Sequence, residues 1–287
     1  MPKTNEILCG NHLDILKEYP DGFFDMVLTS PPYDKLRDYE GYDFQFEPLA
    51  HELYRTLKDG GVCVWVVNDA TIDGSETLTS FKQAIYFKEK VGFNVHDTMI
   101  YQKVNPIPSV AIMQKRYEQT FEYSFCLSKG CPKTCSHLKI RKSYKDNRKV
   151  KMGQRTPNGG RRSALVSRDD YRIRSNVWGY KIGGGHVASD NIAHNHPAIF
   201  PEKLAEDHIL SWSNPGDIVL DPMCGSGTTA KMAVKHQRRY VGIDIAEKYC
   251  DIARERIRKF TQQTNMFDMA GYNNALHATS PAPQGLS

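Results

Sequence analysis

The segment Thr29-Ser30-Pro31-Pro32-Tyr33 contains the residue types needed to hold an aromatic amine in a fixed orientation. Two consecutive prolines restrict the backbone just past a predicted strand and direct its carbonyl groups outward. The Ser30 hydroxyl and the Pro31 carbonyl can accept hydrogens from the amine, so that its lone pair is aimed at an electrophilic methyl group. Tyr33 can stack on the base that carries the amine. The alternative interpretations are an ordinary loop and a proline-rich ligand.

A second motif, Asp217–Thr229, reads as a strand, a glycine-rich turn and the start of a helix. Gly225 and Gly227 lack a Cβ and so allow the backbone to approach a ligand closely. Asp244 ends the next predicted strand, where it can accept hydrogen bonds from two ribose hydroxyls. The pattern predicts a nucleoside site, although an NAD site and a turn without a ligand remain alternatives. Asp221 favours S-adenosylmethionine, because a carboxylate attracts its positive groups and would repel a pyrophosphate.

The segments around both motifs alternate between predicted strands and helices. Apolar runs predict strands at 25–29, 62–67, 98–102, 122–127, 217–220 and 240–243, and helices at 46–57, 81–91, 202–212, 228–235 and 246–260. Residues 58–61 are predicted as a turn. This alternation indicates a mostly parallel sheet covered on both faces, and α/β sheets bind ligands where their strands end.

Between Gly130 and Asn195 the alternation stops, and the segment is rich in Lys, Arg, Gly, Ser and Tyr. Residues 139–174 contain 13 Lys and Arg against three Asp, a local charge of +10 in a chain whose net charge is +5. Such a cluster is typical of polyanion binding, although a solvated basic loop has the same composition. We expect an inserted region that binds duplex DNA through Lys139, Arg141, Lys142, Arg161, Arg162, Arg168 and Arg172.

The overall composition limits the class of protein. The 287 residues suit one α/β core with an inserted lobe, and no run of about 18 apolar residues is present to span a bilayer. The seven cysteines are scattered and the N-terminus lacks the apolar core of a signal peptide, so we expect a cytoplasmic protein. Zinc binding by Cys131, Cys135 and His137 with Cys126 is an alternative, but this spacing matches no standard zinc site and no metal is predicted. Residues 261–287 are predicted to be a disordered tail.

The two motifs, in this order, resemble those of the exocyclic-amino DNA methyltransferases, in the circularly permuted β group whose catalytic motif precedes the cofactor motif. The resemblance spans residues 6–260. Ile7–Asn11 resembles the family's adenine-contact strand, Tyr101–Pro106 its lysine-asparagine loop near the target base, and His196–Leu204 the start of the helix that closes over the methionine end of the cofactor. The resemblance implies a Rossmann-like methyltransferase fold with a mostly parallel, seven-stranded sheet. The catalytic half would be 1–129, the target-recognition region 130–195 and the cofactor half 196–260.

The resemblance also implies roles for individual residues. Ser30, Pro31, Pro32 and Tyr33 would be catalytic, and Lys103 and Asn105 would lie near the DNA. Cofactor contacts are expected from Asn11, Ser30, Phe200, Pro201, Asp221, Met223, Cys224, Gly225, Ser226, Gly227, Thr228, Asp244 and Ile245. Asn11 stands where the family commonly has Asp, and its amide oxygen can serve as the acceptor instead.

Family members with Asp at the first catalytic position are typically N6-adenine enzymes, whereas those with Ser, as at Ser30, resemble the N4-cytosine enzymes. The resemblance thus implies direct methyl transfer to the N4 amine of a flipped-out cytosine, with N6-adenine methylation as the alternative. Ring-carbon methylation would require a thiolate, usually in a Pro-Cys dipeptide, and the sequence has none. The implied context is restriction-modification, with a cognate endonuclease as a candidate partner and a monomer or homodimer as the enzyme. An RNA methyltransferase, an NAD-dependent oxidoreductase and a nucleic-acid-binding module without turnover are the competing classes.

Overall fold

The computed structural model describes residues 2–32, 44–106, 115–141, 149–156, 158–167, 171–183, 185–196 and 198–278. Three of the predicted site residues, Tyr33, Lys142 and Arg168, lie outside these ranges. Within the described ranges, no helix is long and apolar enough to cross a membrane.

The strands are β1 (Glu6–Cys9), β2 (Phe24–Thr29), β3 (Leu57–Val67), β4 (Thr71–Ile72), β5 (Ser75–Glu76), β6 (Asn94–Lys103), β7 (Phe121–Ser128), β8 (Lys139–Arg141), β9 (Lys149–Arg155), β10 (Arg161–Ser167), β11 (Tyr171–Ile173), β12 (Val177–Tyr180), β13 (Ile218–Asp221) and β14 (Arg239–Asp244). The α-helices are α1 (His12–Leu16), α2 (Phe46–Thr56), α3 (Thr79–Tyr86), α4 (Glu202–Trp212), α5 (Thr228–Lys235) and α6 (Glu247–Ala278). A π-helical turn, Phe87–Val91, continues α3, and a 3-10 helix spans Ile192–Asn195.

Within the part of the chain that the structure describes, the central sheet has eight strands in the order β1-β14-β13-β2-β3-β7-β6-β12. The first five strands in this order, β1, β14, β13, β2 and β3, run parallel to one another. Strand β12 is parallel to β6, whereas β7 is antiparallel to both β3 and β6. The prediction of a mostly parallel α/β fold is therefore confirmed. The predicted number of seven strands is wrong, because β12 adds an eighth. Its four residues lie within the predicted insertion, and so short a strand carries little periodic signal.

Residues of β3 show how the sheet forms two apolar layers. Val64 and Val66 belong to the cluster packed with α4, α5 and α6, whereas Trp65 and Val67 belong to the cluster packed with α1, α2 and α3. Successive side chains of a strand point to opposite faces, so an unbroken apolar run is buried on both. Each such side chain contributes roughly 1.5–3 kcal/mol by leaving water. The two layers fix the strand ends that carry the candidate site.

The predicted turn at residues 58–61 lies inside β3. The pairing of β2 with β3 passes from Phe24 opposite Leu57 to Met26 opposite Val62, so β3 accommodates the extra residues as an irregularity within the strand. Gly60 adopts φ 78°, a left-handed conformation open to glycine without strain. Turn-forming residues therefore produced a bulge here and did not end the strand.

The predicted insertion, residues 130–195, contains strands outside the central sheet and one strand within it. Its basic part forms two antiparallel pairs, β9 with β10 and β8 with β11, but β12 then joins the central sheet. Residues 187–196 pack beside the cofactor half, where the Glu202 N–H donates to the Val187 carbonyl at 2.8 Å. Strand β12 is therefore part of the central sheet, and the division of the chain at residue 195 stays a prediction.

The predicted end of the last helix also differs. Helix α6 continues to Ala278, past Phe260 and through residues predicted as disordered tail. Residues 261–270 contain neither Gly nor Pro, so nothing in their backbone chemistry ends the helix at the predicted position. Residues 279–287 lie outside the described part of the chain.

Candidate active site

The parallel strands bring the ends of the two sequence motifs to one edge of the sheet. Strand β13 lies between β2 and β14, with Leu220 opposite Val27 and Asp221 opposite Gly242. Ser30 follows β2 directly, Asp221 ends β13 and Asp244 ends β14. The predicted catalytic motif and the cofactor motif thus meet at the carboxyl edge, although most of the chain separates them in sequence.

A buried hydrogen bond joins the two motifs. The Thr29 hydroxyl donates to Asp221 Oδ1 at 2.7 Å, and the Met223 N–H donates to the same oxygen at 3.2 Å. The Thr229 hydroxyl also donates to the Leu28 carbonyl at 3.3 Å. These bonds hold the last residues of β2, and therefore Ser30, against the cofactor motif.

The surroundings of Asp221 show that this side chain connects the two motifs. Only 2% of the residue is exposed, and its hydrogen-bond donors given above are protein groups. Burial raises the pKa of its carboxyl to about 6, against the lowering effect of the hydrogen bond from Thr29. We therefore interpret Asp221 as a residue that joins β13 to β2, and its predicted contact with the cofactor stays a prediction.

The glycine-rich turn is held by Asp244. The Gly225 N–H donates to Asp244 Oδ2 at 2.9 Å, and the Ala246 N–H donates to Oδ1 at 3.0 Å. Burial raises the pKa of this carboxyl, while the backbone hydrogen bonds act in the opposite direction. A partly exposed carboxylate beside Ile245, which is 44% exposed, suits a ribose with an adjacent apolar surface for a base. These residues fit an adenosine group.

Both glycines of the turn have left-handed backbones, with φ of 48° at Gly225 and 76° at Gly227. A Cβ on Gly225 would lie 2.8 Å from His196 Nε2, and one on Gly227 would lie 2.7 Å from the Ala253 Cβ. The missing side chains therefore make room for the protein's own His196 and α6. From the sequence alone, we expect a ligand to use that space.

The remaining predicted cofactor residues flank this turn. Asn11 follows β1 and caps α1, because its Oδ1 accepts from the Leu13 N–H at 2.8 Å. Phe200 is partly buried against the apolar layer under α4, and Pro201 precedes the first turn of that helix. Met223, Cys224, Ser226 and Thr228 form the turn and the start of α5. Asn11 is thus already committed to one hydrogen bond before any ligand binds.

The residues predicted to contact DNA fall into two groups. Lys103 forms an ion pair with Glu122 at 2.7 Å, and Asn105 exchanges two hydrogen bonds with the backbone of Ile182, at 2.8 and 2.7 Å. These two side chains hold neighbouring segments together. Exposed side chains on the hairpin strands form the other group, which comprises Lys139, Arg141, Arg161, Arg162 and Arg172.

The alternative zinc site receives no support from the geometry. Cys135 Sγ lies 3.5 Å from His137 Nε2, but Cys126 is fully buried. The described part of the chain contains no cluster of three or more His, Cys, Asp or Glu residues that could hold a metal ion.

Sequence reasoning missed a buried charged cluster behind the glycine-rich turn, formed by Asp190, Glu202, Lys231 and Arg256. The position of Arg256 in the pattern of α6 could have indicated this cluster from the sequence. Cys250, Ala253 and Ile257 are buried on α6, and Arg256 shares their helical spacing and their burial. An arginine on the apolar face of a helix indicates a buried acidic partner.

Comparisons with known proteins agree with this fold. A family model described as DNA methylase, of the N6/N4 type, matches residues 24–255. The orphan methyltransferase M.BamHII of Bacillus amyloliquefaciens is 51% identical over 261 residues, which cover 88% of this chain and 95% of that protein.

Two solved structures show the same fold. The PvuII DNA methyltransferase, described as cytosine-N4-specific, has a TM-score of 0.66 and 20% identity, covering 92% of this chain and 93% of its own. M1.HpyAVI in complex with S-adenosylmethionine has a TM-score of 0.57 and 20% identity, covering 88% and 98%.

Fold and site together define an S-adenosylmethionine-dependent methyltransferase of the exocyclic-amino class, in which the catalytic motif precedes the cofactor motif. The chain belongs to the N6/N4 DNA methylase family.

Proposed function

We propose that this enzyme methylates the exocyclic N4 amine of cytosine in duplex DNA. The observation that carries the proposal is the position of Ser30 at the carboxyl edge of the sheet. Ser30 directly follows Thr29, whose hydroxyl is hydrogen-bonded to Asp221 of the cofactor motif. A hydroxyl at this point can accept a hydrogen bond from an amine. Members of the family with Ser here resemble the N4-cytosine enzymes, whereas those with Asp are typically N6-adenine enzymes. The base choice rests on that resemblance, because both amines offer the same two hydrogens.

Residues of this chain supply orientation more than charge. When bound, S-adenosylmethionine provides an electrophilic methyl group. The Ser30 hydroxyl and the Pro31 carbonyl accept the two amine hydrogens, which directs the nitrogen lone pair toward that methyl. The nitrogen gains one carbon bond as the methyl leaves sulfur, and the surplus proton passes to water. No nucleophilic side chain is required.

The target base must leave the double helix to reach Ser30. Extrusion costs a few kcal/mol, which an aromatic residue in the pocket offsets by stacking on the base. We assign that role to Tyr33, on the sequence motif alone, because it lies outside the described residues. Binding energy from phosphate contacts also favours the extruded state.

The antiparallel pairs β9–β10 and β8–β11, which we call the basic hairpins, are the proposed DNA-binding surface. Arg161 and Arg162 are exposed on β10, and Arg172 is exposed on β11. Neutralisation of phosphates by such residues releases counterions and so strengthens binding at low salt. Lys103 and Asn105 contribute less directly, because their described partners are protein groups.

Two of the similar proteins bear on the proposed substrate and partner. The description of the PvuII enzyme as cytosine-N4-specific agrees with the proposed base, although 20% identity establishes only the shared fold. The M.BamHII relative is called an orphan methyltransferase, which favours a solitary enzyme over one paired with an endonuclease. The cognate endonuclease predicted from the resemblance stays a prediction.

The deciding experiment is incubation of the enzyme with labelled S-adenosylmethionine and mixed-sequence duplex DNA, followed by nucleoside digestion and mass spectrometry. N4-methylcytosine is the expected product, and Ser30→Ala protein is the matched control that should yield little of it. N6-methyladenine would keep the enzyme class and refute the proposed base. Methylation of RNA but not DNA would refute the proposed substrate.

A further inference from the structure

A cluster of four charged side chains lies directly behind the glycine-rich turn. Arg256 is fully buried, the side chain of Lys231 is 4% exposed, and those of Asp190 and Glu202 are 26% and 14% exposed. Two cations and two carboxylates leave the cluster without net formal charge. Such a group is costly to bury unless every member is paired, and here each cation contacts both acids.

One end of Arg256 holds the turn itself. Its Nη1 donates to the Ser226 carbonyl at 2.5 Å, to the Ser226 hydroxyl at 3.0 Å and to the Thr228 hydroxyl at 3.3 Å. Ser226 lies between the two left-handed glycines, where the backbone has the most freedom. Arg256 therefore fixes the part of the turn that glycine leaves most flexible.

The other end of Arg256 is itself held in place. Its Nε donates to both oxygens of Asp190, at 3.0 and 3.1 Å, and its Nη2 donates to Glu202 Oε1 at 2.9 Å. Lys231 bonds the same two carboxylates, each at 2.7 Å. Contacts on both ends leave the planar guanidinium one orientation.

The acids of the cluster come from two other segments. Asp190 lies in the connection that follows β12, and Glu202 lies in the first turn of α4. Burial would raise the pKa of Asp190, but the hydrogen bond from Lys231 and the positive charge of Arg256 outweigh burial and lower it. Asp190 therefore stays ionised and keeps its hold on Arg256.

We propose that Arg256 is a positioning residue for S-adenosylmethionine binding, which holds the Ser226–Thr228 turn in its ligand-binding conformation while Asp190, Glu202 and Lys231 hold Arg256. A buried ion cluster gives orientation more than net stability. A turn that is held in its binding conformation before the ligand arrives lowers the entropic cost of binding, so a rigid turn has a functional value. The proposal concerns the cofactor turn and does not depend on which base is methylated.

The test is Arg256→Lys, which keeps the positive charge but loses the fork that reaches Ser226 and Asp190 together. The dissociation constant for S-adenosylmethionine, measured by calorimetry on the full chain, should rise about tenfold, equivalent to about 1.4 kcal/mol. KM for S-adenosylmethionine should rise in parallel, while kcat at saturating cofactor and KM for DNA should change less than about threefold. Arg258→Lys is the matched control, because Arg258 lies on the same helix and pairs at the surface with Glu255.

Asp190→Asn and Glu202→Gln provide a second line of testing, since neither residue touches the turn directly. Each should weaken cofactor binding by about threefold, because each leaves Arg256 with fewer constraints. Wild-type cofactor affinity in a folded Arg256→Lys protein would overturn the proposal. So would equal losses of cofactor affinity, DNA affinity and thermal stability, since those describe general damage to the fold. If Arg256→Lys does not fold, unchanged cofactor affinity in both acid variants overturns the proposal.

Discussion

Arg256 and Arg161 have the same side chain in opposite surroundings. Arg256 is fully buried and contacts two carboxylates and the glycine-rich turn, whereas Arg161 is exposed on β10 within the basic hairpins. A buried cation must be paired, and pairing fixes its geometry. An exposed cation keeps its conformational freedom and its affinity for phosphate.

The same contrast divides the molecule into two regions. At the carboxyl edge of the sheet, Thr29, Asp221 and Asp244 hold the chain through short hydrogen bonds. In the basic hairpins, the described charged side chains of β8, β10 and β11 are exposed. We therefore expect variants at the edge to affect turnover or cofactor binding, and variants in the hairpins to affect DNA binding.

The largest effect is expected from Ser30→Ala. Loss of the hydroxyl acceptor should lower kcat by about 100- to 1,000-fold, as the loss of one oriented polar group does at other active sites. The dissociation constant for S-adenosylmethionine should stay within about twofold of wild type. Single-turnover methylation assays and calorimetry measure the two quantities. Ser75→Ala, at an exposed serine of β5, is the control, and equal losses of turnover and cofactor binding would show that Ser30 is misassigned.

Asp244→Asn should act on cofactor binding. The amide can accept at only one atom, whereas the carboxylate now accepts from both Gly225 and Ala246. S-adenosylmethionine should bind about 10- to 100-fold more weakly, and DNA affinity should change little. The matched control is Asp251→Asn, at an exposed residue of α6. A larger loss of DNA affinity than of cofactor affinity would contradict the separation of the two regions.

Replacement of Arg161, Arg162 and Arg172 by Ala should act in the opposite way. DNA should bind about tenfold more weakly, and the slope of log K against log salt should flatten by about 0.9 for each phosphate that is no longer neutralised. Cofactor affinity should not change. DNA-binding titrations at several salt concentrations measure this, with Lys17→Ala, at an exposed lysine of the N-terminal half, as the control. An unchanged salt slope would show that these side chains do not face the phosphates.

The smallest effect concerns pH and the two buried groups Asp221 and His208. Burial raises the pKa of Asp221 from 3.8 to about 6, so its contribution to stability is full at low pH and is lost as the pH rises through 6. The melting temperature of wild type relative to Asp221→Asn should therefore increase as the pH falls from about 6 to about 4. Asp251→Asn should show no such trend.

His208 should change the stability of the fold with pH in the opposite direction to Asp221. Burial lowers its pKa from 6.5 to about 3, so the folded protein keeps it neutral while the unfolded chain takes up a proton. Stability from this group is lost as the pH falls from about 6.5 toward 3. His208→Leu should lessen that loss, measured as melting temperature against pH. A wild-type pH profile in this variant would show that His208 does not contribute.

Most of the core could be predicted from local pattern. Helices α4 and α5 begin and end where their apolar spacing, Pro201 and the glycine-rich turn indicate. Six strands of the sheet also follow their apolar runs, because burial on both faces leaves a continuous signal, whereas β1 is indicated by the family resemblance. Strand β12 escaped prediction, because its four residues carry little periodic signal and only its pairing with β6 shows that it belongs to the sheet.

The sequence by itself determined the fold class, the family and the two motifs, because each depends on residues close together in the chain. Only the tertiary structure decided which side chains those motifs contact. It directed Asp221 to Thr29, filled the space beside Gly225 with His196, and joined Arg256 to Asp190 across the sequence. Such contacts depend on packing between distant segments, and no local propensity encodes them.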